Sequence, residues 1–301
     1  MNGYQTGRAI LILVLSLFLV PGIALALPDN FWSHWGDGKA EITSYELEIP
    51  HYREPRKGQA VLIYVTEDFR ADKQVKIESS NAAKTPVLKL NNVRDFKTGA
   101  YPYHTMLSSF SPLAKWELGD STLPMKLSLS TIEWCGNFYS QLNTQEDDFR
   151  LTRHSYFEQE ADSVFSIKKH QDGIFEDDLF IRVRELIEPF KPGSYKILTS
   201  LFFARMRHQK PLWLKAEVSV EKLKERYKIG RKKYQVKLFK VKTPVREYKL
   251  YVEQDFPRRI LAWEIKYLDQ GDGLTERAAM VKSVREPYWN MNRKSDNIAL
   301  W

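Results

Sequence analysis

The chain has 301 residues, 46 Lys and Arg against 38 Asp and Glu, and a formal charge of +8. Hydrophobic residues make up 43% and aromatics 13%, which excludes a disordered chain, and Gly and Pro are too few for a collagenous or low-complexity one. One cysteine, Cys135, excludes a disulfide framework and any Cys-rich zinc module, and a basic excess spread over this length is as well explained by solubility as by an anionic partner.

Residues 1–26 read as a secretory signal peptide. Arg8 is the lone basic residue of a short leading region, Ala9 to Val20 is uncharged and apolar, Pro21-Gly22 breaks that run, and Ala24-Leu25-Ala26 supplies the small residues that precede cleavage. The run is shorter than the roughly 20 residues of a bilayer span, so an uncleaved anchor is the weaker alternative. The expected location is periplasmic or secreted, with cleavage after Ala26 and no integral span afterwards. Residues 27–301 are then expected to form a single β-rich domain, with a soft boundary near residues 143–150.

His34-Trp35-Gly36-Asp37-Gly38 is expected to form a Gly-rich turn before a strand at Lys39–Glu48, with Trp32 and Trp35 pinning the terminus. His34 and Asp37 are too few for a metal site. Period-2 alternation then predicts strands at 58–66, 86–90 and 125–132, and later at 234–241, 246–252 and 260–265. Asp255-Phe256-Pro257 reads as the turn between the last two. Polar residues on alternate positions mean sheets covered on one face, hence antiparallel pairing.

Trp134-Cys135-Gly136 follows one strand. With no second cysteine and no adjacent histidine, the thiol is expected to be buried beside a packed indole, with Gly136 allowing a close backbone approach. Residues 176–187 change period. Leu179, Val183, Leu186 and Ile187 fall at helical spacing, the start is acidic, and Pro189 and Pro192 end it, so the main helix is expected at about 175–188, its stripe on a concave sheet face. Residues 221–233 are dense in charge and read as a hairpin tip or a short polar helix. The fold class is therefore mainly β, a large curved antiparallel sheet forming an open half-barrel with one main helix.

No residue is assigned a catalytic role. The carboxylate groups Glu67/Asp68, Glu146/Asp147/Asp148 and Asp177/Asp178 border loops or a helix start and read as solvated, although a secreted hydrolase using such a pair is the alternative function. The six histidines are scattered, and no GxSxG, GxGxxG, HExxH or P-loop occurs. No cofactor and no metal are expected. Basic residues interleave with aromatics at 227–239, which reads as a solvated edge rather than a nucleic-acid surface. Large apolar residues near turns either fill the core or line a groove. The candidate ligand-binding set is Tyr101, Tyr103, Met106, Trp134, Leu201, Phe202 and Met206. The expected partners are a lipid or amphipathic small molecule, or an envelope protein met at an exposed strand edge.

Four motifs, Trp35-Gly36-Asp37-Gly38-Lys39-Ala40-Glu41, Val65-Thr66-Glu67-Asp68-Phe69, Thr98-Gly99-Ala100-Tyr101 and Glu133-Trp134-Cys135-Gly136, resemble those of a group of uncharacterised secreted bacterial proteins. The C-terminal half resembles the DUF3108 type of envelope protein, similar in shape to the periplasmic lipoprotein-carrier half-barrels. The resemblance implies an open curved sheet with helices in its mouth; its motifs attach to no known activity, and a non-enzymatic role in the envelope is the leading expectation for function. Members of the group are sometimes labelled septum formation inhibitor Maf, a name for cytoplasmic nucleotide pyrophosphatases whose Ser-Pro-Arg-Arg segment this chain lacks.

Overall fold

The computed structural model describes residues 27–78, 84–119, 123–170, 172–269 and 274–301. The expected signal peptide lies outside them. A short helix, α1 (Phe31–Trp35), leads into β1 (Ala40–His51), β2 (Glu54–Arg70), β3 (Val75–Lys76), β4 (Lys84–Lys97), β5 (Pro102–Pro112), β6 (Lys126–Glu133), β7 (Gly136–Thr144), β8 (Asp148–Ser155) and β9 (Ser163–Lys168). Then come β10 (Gly173–Phe175), α2 (Leu179–Arg182), β11 (Gly193–Leu198), α3 (Leu201–Met206), β12 (Trp213–Lys222), β13 (Tyr227–Ile229), β14 (Lys232–Tyr234), β15 (Val236–Lys242), β16 (Arg246–Glu253), β17 (Ile260–Tyr267) and β18 (Thr275–Glu286).

Sixteen strands form one sheet, in the order β10-β11-β12-β15-β16-β17-β18-β1-β2-β4-β5-β6-β7-β8-β9, with β3 paired to β2. Two meanders meet where the last strand, β18, pairs with the first, β1. The stretch around residues 143–150 is the β7–β8 turn of this continuous sheet. Of the charged stretch at 221–233, Glu221 and Lys222 end β12 and the part from Tyr227 on forms the hairpin β13–β14. Every ladder is antiparallel except β10–β11. A parallel pair requires a crossover, and here the crossover is residues 176–192.

The sheet curls until its terminal strands are neighbours. Phe149 of β8 meets Phe175 of β10 edge-on at 4.9 Å, and the Trp213 indole donates to the Lys168 carbonyl at the end of β9, 2.9 Å away. Gly173 is required at this seam, because a Cβ there would lie 2.7 Å from the Trp213 ring. Alternate residues of each strand point inward. In β6, Leu127, Leu129 and Thr131 are buried while Lys126, Ser128 and Ser130 are only half so. The outer face of β1 is covered only at its start, where Ile298 and Leu300 of the C-terminal tail pack on Ala40 and Ile42 and Ser44 donates to the Leu300 carbonyl at 2.6 Å.

The concave face is packed, not open. The crossover runs through the interior, and Phe175, Leu179, Phe180, Ile181, Val183, Leu186 and Phe190 join the main hydrophobic cluster. The expected helix at 175–188 shrinks to a 3₁₀ turn, Glu176–Asp178, followed by the single turn of α2. An amphipathic helix needs a wet face, but residues 174–181 are buried on all sides. The wall then takes over the backbone's partners: Tyr64 of β2 donates to the Phe180 carbonyl at 2.8 Å, and Glu185 takes a left-handed φ of 47°.

Charged groups tie the crossover to the walls. Arg184, with 0% exposure, donates to both Glu41 oxygens at 2.7 and 3.0 Å and to the carbonyls of Pro257 and Arg258. Its guanidinium lies 4.2 Å from the Tyr64 ring centroid. Burial alone would raise the Glu41 carboxyl, yet Arg184 and His34 bring it down to about 2. Glu176 receives Arg246 bidentately at 2.5 and 2.7 Å, together with the Tyr248 hydroxyl. Asp177 and Asp178, expected on a solvated helix start, are buried instead. Asp178 accepts Ser109 and Ser111 at 2.6 and 2.5 Å. Burial pushes both aspartates up to about 6, against the pull of these donors.

Two outcomes follow from the interior. Glu41→Ala strands a buried guanidinium and is expected to cost about 3–5 kcal/mol in urea unfolding, whereas Glu41→Leu combined with Arg184→Met recovers most of that loss. Asp178 has a folded pKa of about 6, above its unfolded 3.8, so its contribution is complete below about pH 4 and is lost as pH rises through 6. Asp178→Asn is therefore expected to stabilise the protein at pH 7.5 by on the order of 2 kcal/mol and to be near neutral at pH 4, read from unfolding midpoints across that range.

Candidate functional site

One end of the barrel carries the turns β1–β2, β4–β5 and β6–β7 together with α3. The two-residue β1–β2 turn is Tyr52-Arg53, closing the His51↔Glu54 pair, and both residues are left-handed, at φ 53° and 62°. Such a turn ordinarily takes Asn-Gly, because each side chain with a Cβ is strained there. What holds it is aromatic contact. The His51 ring lies 4.0 Å from Tyr52 and 4.7 Å from Tyr103, and Tyr103 stacks on Phe96 at 5.0 Å and 3°. The Tyr52 hydroxyl meets those of Tyr101 and Tyr103 at 3.2 and 3.1 Å.

Helix α3 forms the opposite wall. Its N-cap, Ser200, accepts from the Phe202 and Phe203 amides at 3.1 and 3.4 Å. The two preceding amides are taken by crossover carboxylates: Ser200 N–H donates to Glu176 at 2.6 Å and Leu201 N–H to Asp177 at 2.8 Å. These contacts satisfy the donors that a helix start leaves open. Arg94 of β4 lies 4.6 Å above the Phe202 ring and pairs with the fully buried Glu276 at 3.2 Å.

Between the turn and α3 lies a cleft of about 320 Å³. Phe96, Phe202, Phe203, Met206 and Tyr267 supply its apolar wall, and His51, Tyr52, Arg53, Arg207 and Asp269 its polar edge. Asp269 is its one carboxylate and is engaged by Arg207 at 3.2 and 3.4 Å, so the cleft holds no carboxylate pair. Burial, with Arg56, Arg207 and Arg205 nearby, lowers the His51 imidazole to about 4, leaving it neutral at pH 7. Its Nε2 is buried and has no protein partner. A larger depression of about 610 Å³ lies on the outer face over Ala262 and Ala279, where Arg277 and Lys249 engage Glu48 and Glu264. Among the described residues no group of three His, Cys, Asp or Glu is placed to hold a metal ion.

Of the expected ligand-binding residues, Phe202 and Met206 line the cleft and Tyr103 backs its turn. Leu201 points into the core. Tyr101 and Trp134 stack on each other at 6.3 Å, outside the cleft at the hairpin tips. Met106 is three residues from Tyr103, so strand alternation puts it on the outer face, away from the inward Ser109 and Ser111. The Trp134-Cys135 expectation is overturned: the indole is 75% exposed and the thiol is exposed at the β6–β7 tip. Gly136 does mark a close approach, since a Cβ there would lie 2.7 Å from the Tyr156 ring. At the other end, Trp35, under Arg184, and the fully buried Phe31 pin the terminus, while Trp32 is half exposed. His51, Tyr52 and Arg53 escaped the sequence reading, because their turn lacks any Gly, Asn or Pro signal.

A comparison with protein-family models finds no match, and a comparison with curated proteins finds none. Among solved structures the chain is similar to a β-barrel-like protein of domain of unknown function DUF1849 from Brucella abortus, with a TM-score of 0.46 and 9% identity over 82% of this chain and 96% of that one. Among the described residues no helix is long and apolar enough to cross a membrane.

The strained turn yields a direct test. Arg53 has no ion-pair partner among the described residues and a φ of 62°. Arg53→Gly relieves that backbone and is expected to raise the free energy of unfolding by about 1 kcal/mol at unchanged m-value.

Proposed function

We propose that this protein is an exported, non-enzymatic protein of the cell envelope that binds an amphipathic ligand at the mouth of its barrel. The observation that carries this reading is the cleft itself, apolar on the wall made by Phe96, Phe202, Phe203 and Met206 and cationic at the edge, where Arg53 and Arg207 stand. The run Ala9–Val20 with Ala24-Leu25-Ala26 after it supports export.

The size of the cleft defines what enters. About 320 Å³ is at the lower end for ligand sites, and apolar residues of the crossover pack the interior behind it. The ligand therefore inserts a short apolar segment, not a long chain. Burying six methylenes contributes about 5 kcal/mol before the cost of ordering the ligand, which is enough for reversible capture. The neutral His51, with an unpartnered Nε2, offers one hydrogen bond to an uncharged polar group, and Arg53 offers a charge to an acidic one. A carboxylate-pair hydrolase has no support here, because Asp269 stands alone and is paired with Arg207.

The test is native mass spectrometry of protein purified without detergent and supplied with decanoate or a short-chain lysophosphatidylglycerol. A one-to-one adduct is expected, weakened more than about tenfold in Met206→Glu, which places a charge on the apolar wall. No adduct with either probe, or equal uptake by the variant, would overturn the reading.

A further inference from the structure

Four neighbouring turns at the mouth carry aromatic side chains, exposed at Tyr52, Trp134 and Tyr156 and half-buried at Tyr101. The Tyr52 hydroxyl meets that of Tyr101, and the Tyr101 ring stacks on Trp134. Two residues on, Gly136 lies against the ring of Tyr156. Trp134 and Tyr156 are each 75% exposed and Tyr52 61%, unusual for rings of this size at the tips of otherwise polar hairpins. The β1–β2 and β4–β5 tips also carry Arg53 and Lys97, both exposed and without a carboxylate partner among the described residues. Of the carboxylates at the first three tips, Glu54, next to Arg53, is exposed but paired with Arg56 at 2.6 Å, and Glu133 is buried and turned inward to accept the Cys135 amide at 2.6 Å. Glu158, beyond Tyr156, marks the limit of the patch.

We propose that this rim is a membrane-docking surface that seats the mouth of the barrel on an anionic lipid bilayer. Trp and Tyr are the side chains that favour the headgroup layer, with an apolar ring body and a polar edge, and the Arg and Lys beside them meet anionic headgroups. A protein partner would call for a shaped pocket or a flat apolar face. The rim is instead a row of projecting rings at the end of a barrel, a shape suited to a soft, laterally disordered partner. Seated in this way, the cleft between Tyr52 and α3 opens toward the lipid. The inference rests on the ligand reading of that cleft for its purpose, but not for its geometry, so the two fail separately.

Cys135 is the single cysteine and is exposed between Trp134 and Gly136, which makes it a reporter of the rim itself. A bimane fluorophore on Cys135 of the full-length mature protein is followed while vesicles of phosphatidylethanolamine and phosphatidylglycerol are added. The expected result is a blue shift with co-flotation of the protein, weaker on phosphatidylcholine. Arg53→Gln and Lys97→Gln should each lower partitioning about fivefold on the anionic vesicles only. Trp134→Ser, on an exposed tip where folding is not at stake, should lower it on both. Met206→Gln, which makes the cleft wall polar without adding charge, should float like the parent, and Trp134→Ser should still take up decanoate from solution. Absence of a vesicle-dependent shift overturns the proposal. So does a shift that follows protein concentration without lipid, which would assign the rim to a second copy.

Discussion

A curled sheet of sixteen strands encloses more space than its inward side chains fill, and the chain resolves this by passing its one parallel crossover through the middle. The contact on which that arrangement turns is Arg184 with Glu41. Arg184 has no exposed surface, so its charge must be met where it lies, and it is met by four oxygens and an aromatic ring from three distant parts of the chain: β1, the β16–β17 turn and β2. A buried ion pair adds little net stability over a well-packed apolar substitute. It does penalise every arrangement in which the partners miss each other, and here that fixes where the crossover stops against the wall and where α1 sits, because His34 and Trp35 pack on the same pair.

The walls were legible in the sequence because period-2 alternation is a direct image of a sheet with one dry face. The filling was not. Leu179, Val183, Leu186 and Ile187 have helical spacing, but spacing reports a helix only when the other face meets water, and residues 174–181 meet protein on every side. The aspartates misled for a related reason. Their partners, Ser109 and Ser111, lie more than sixty residues earlier, and the clue was on the strand: two serines at inward positions of β5, where apolar residues would otherwise stand. Trp134 and Cys135 were read as buried by residue type, and their place at a hairpin tip reversed that.

The site was half legible. Phe202, Met206 and Tyr103 converge as large apolar residues near turns should, while Met106 is lost to strand alternation and Leu201 to the core. The missing half is the Tyr52-Arg53 turn, which carries none of the residues that announce a hairpin. Its left-handed backbone is a local rule broken where the cleft opens, and local strain held in place by surrounding contacts is a frequent mark of a working surface.

The cleft and the core are one construction. Glu176 spends one oxygen on Arg246 of β16 and the other on both Arg246 and the amide of Ser200, and Asp177 accepts the next amide, Leu201. The buried carboxylates of the crossover therefore set the start of α3, and α3 presents Phe202, Phe203 and Met206 to the cleft. Because these carboxylates are anchored to the wall, α3 cannot swing inward to open a chamber without breaking charge-assisted bonds in a dry interior, where such bonds are costly to lose. The variable parts of the mouth are then the hairpin tips, which are exposed and tied to one another mainly by rings and hydroxyls. A barrel filled this way keeps a rigid floor and a compliant rim, and any ligand it takes must be met at the surface.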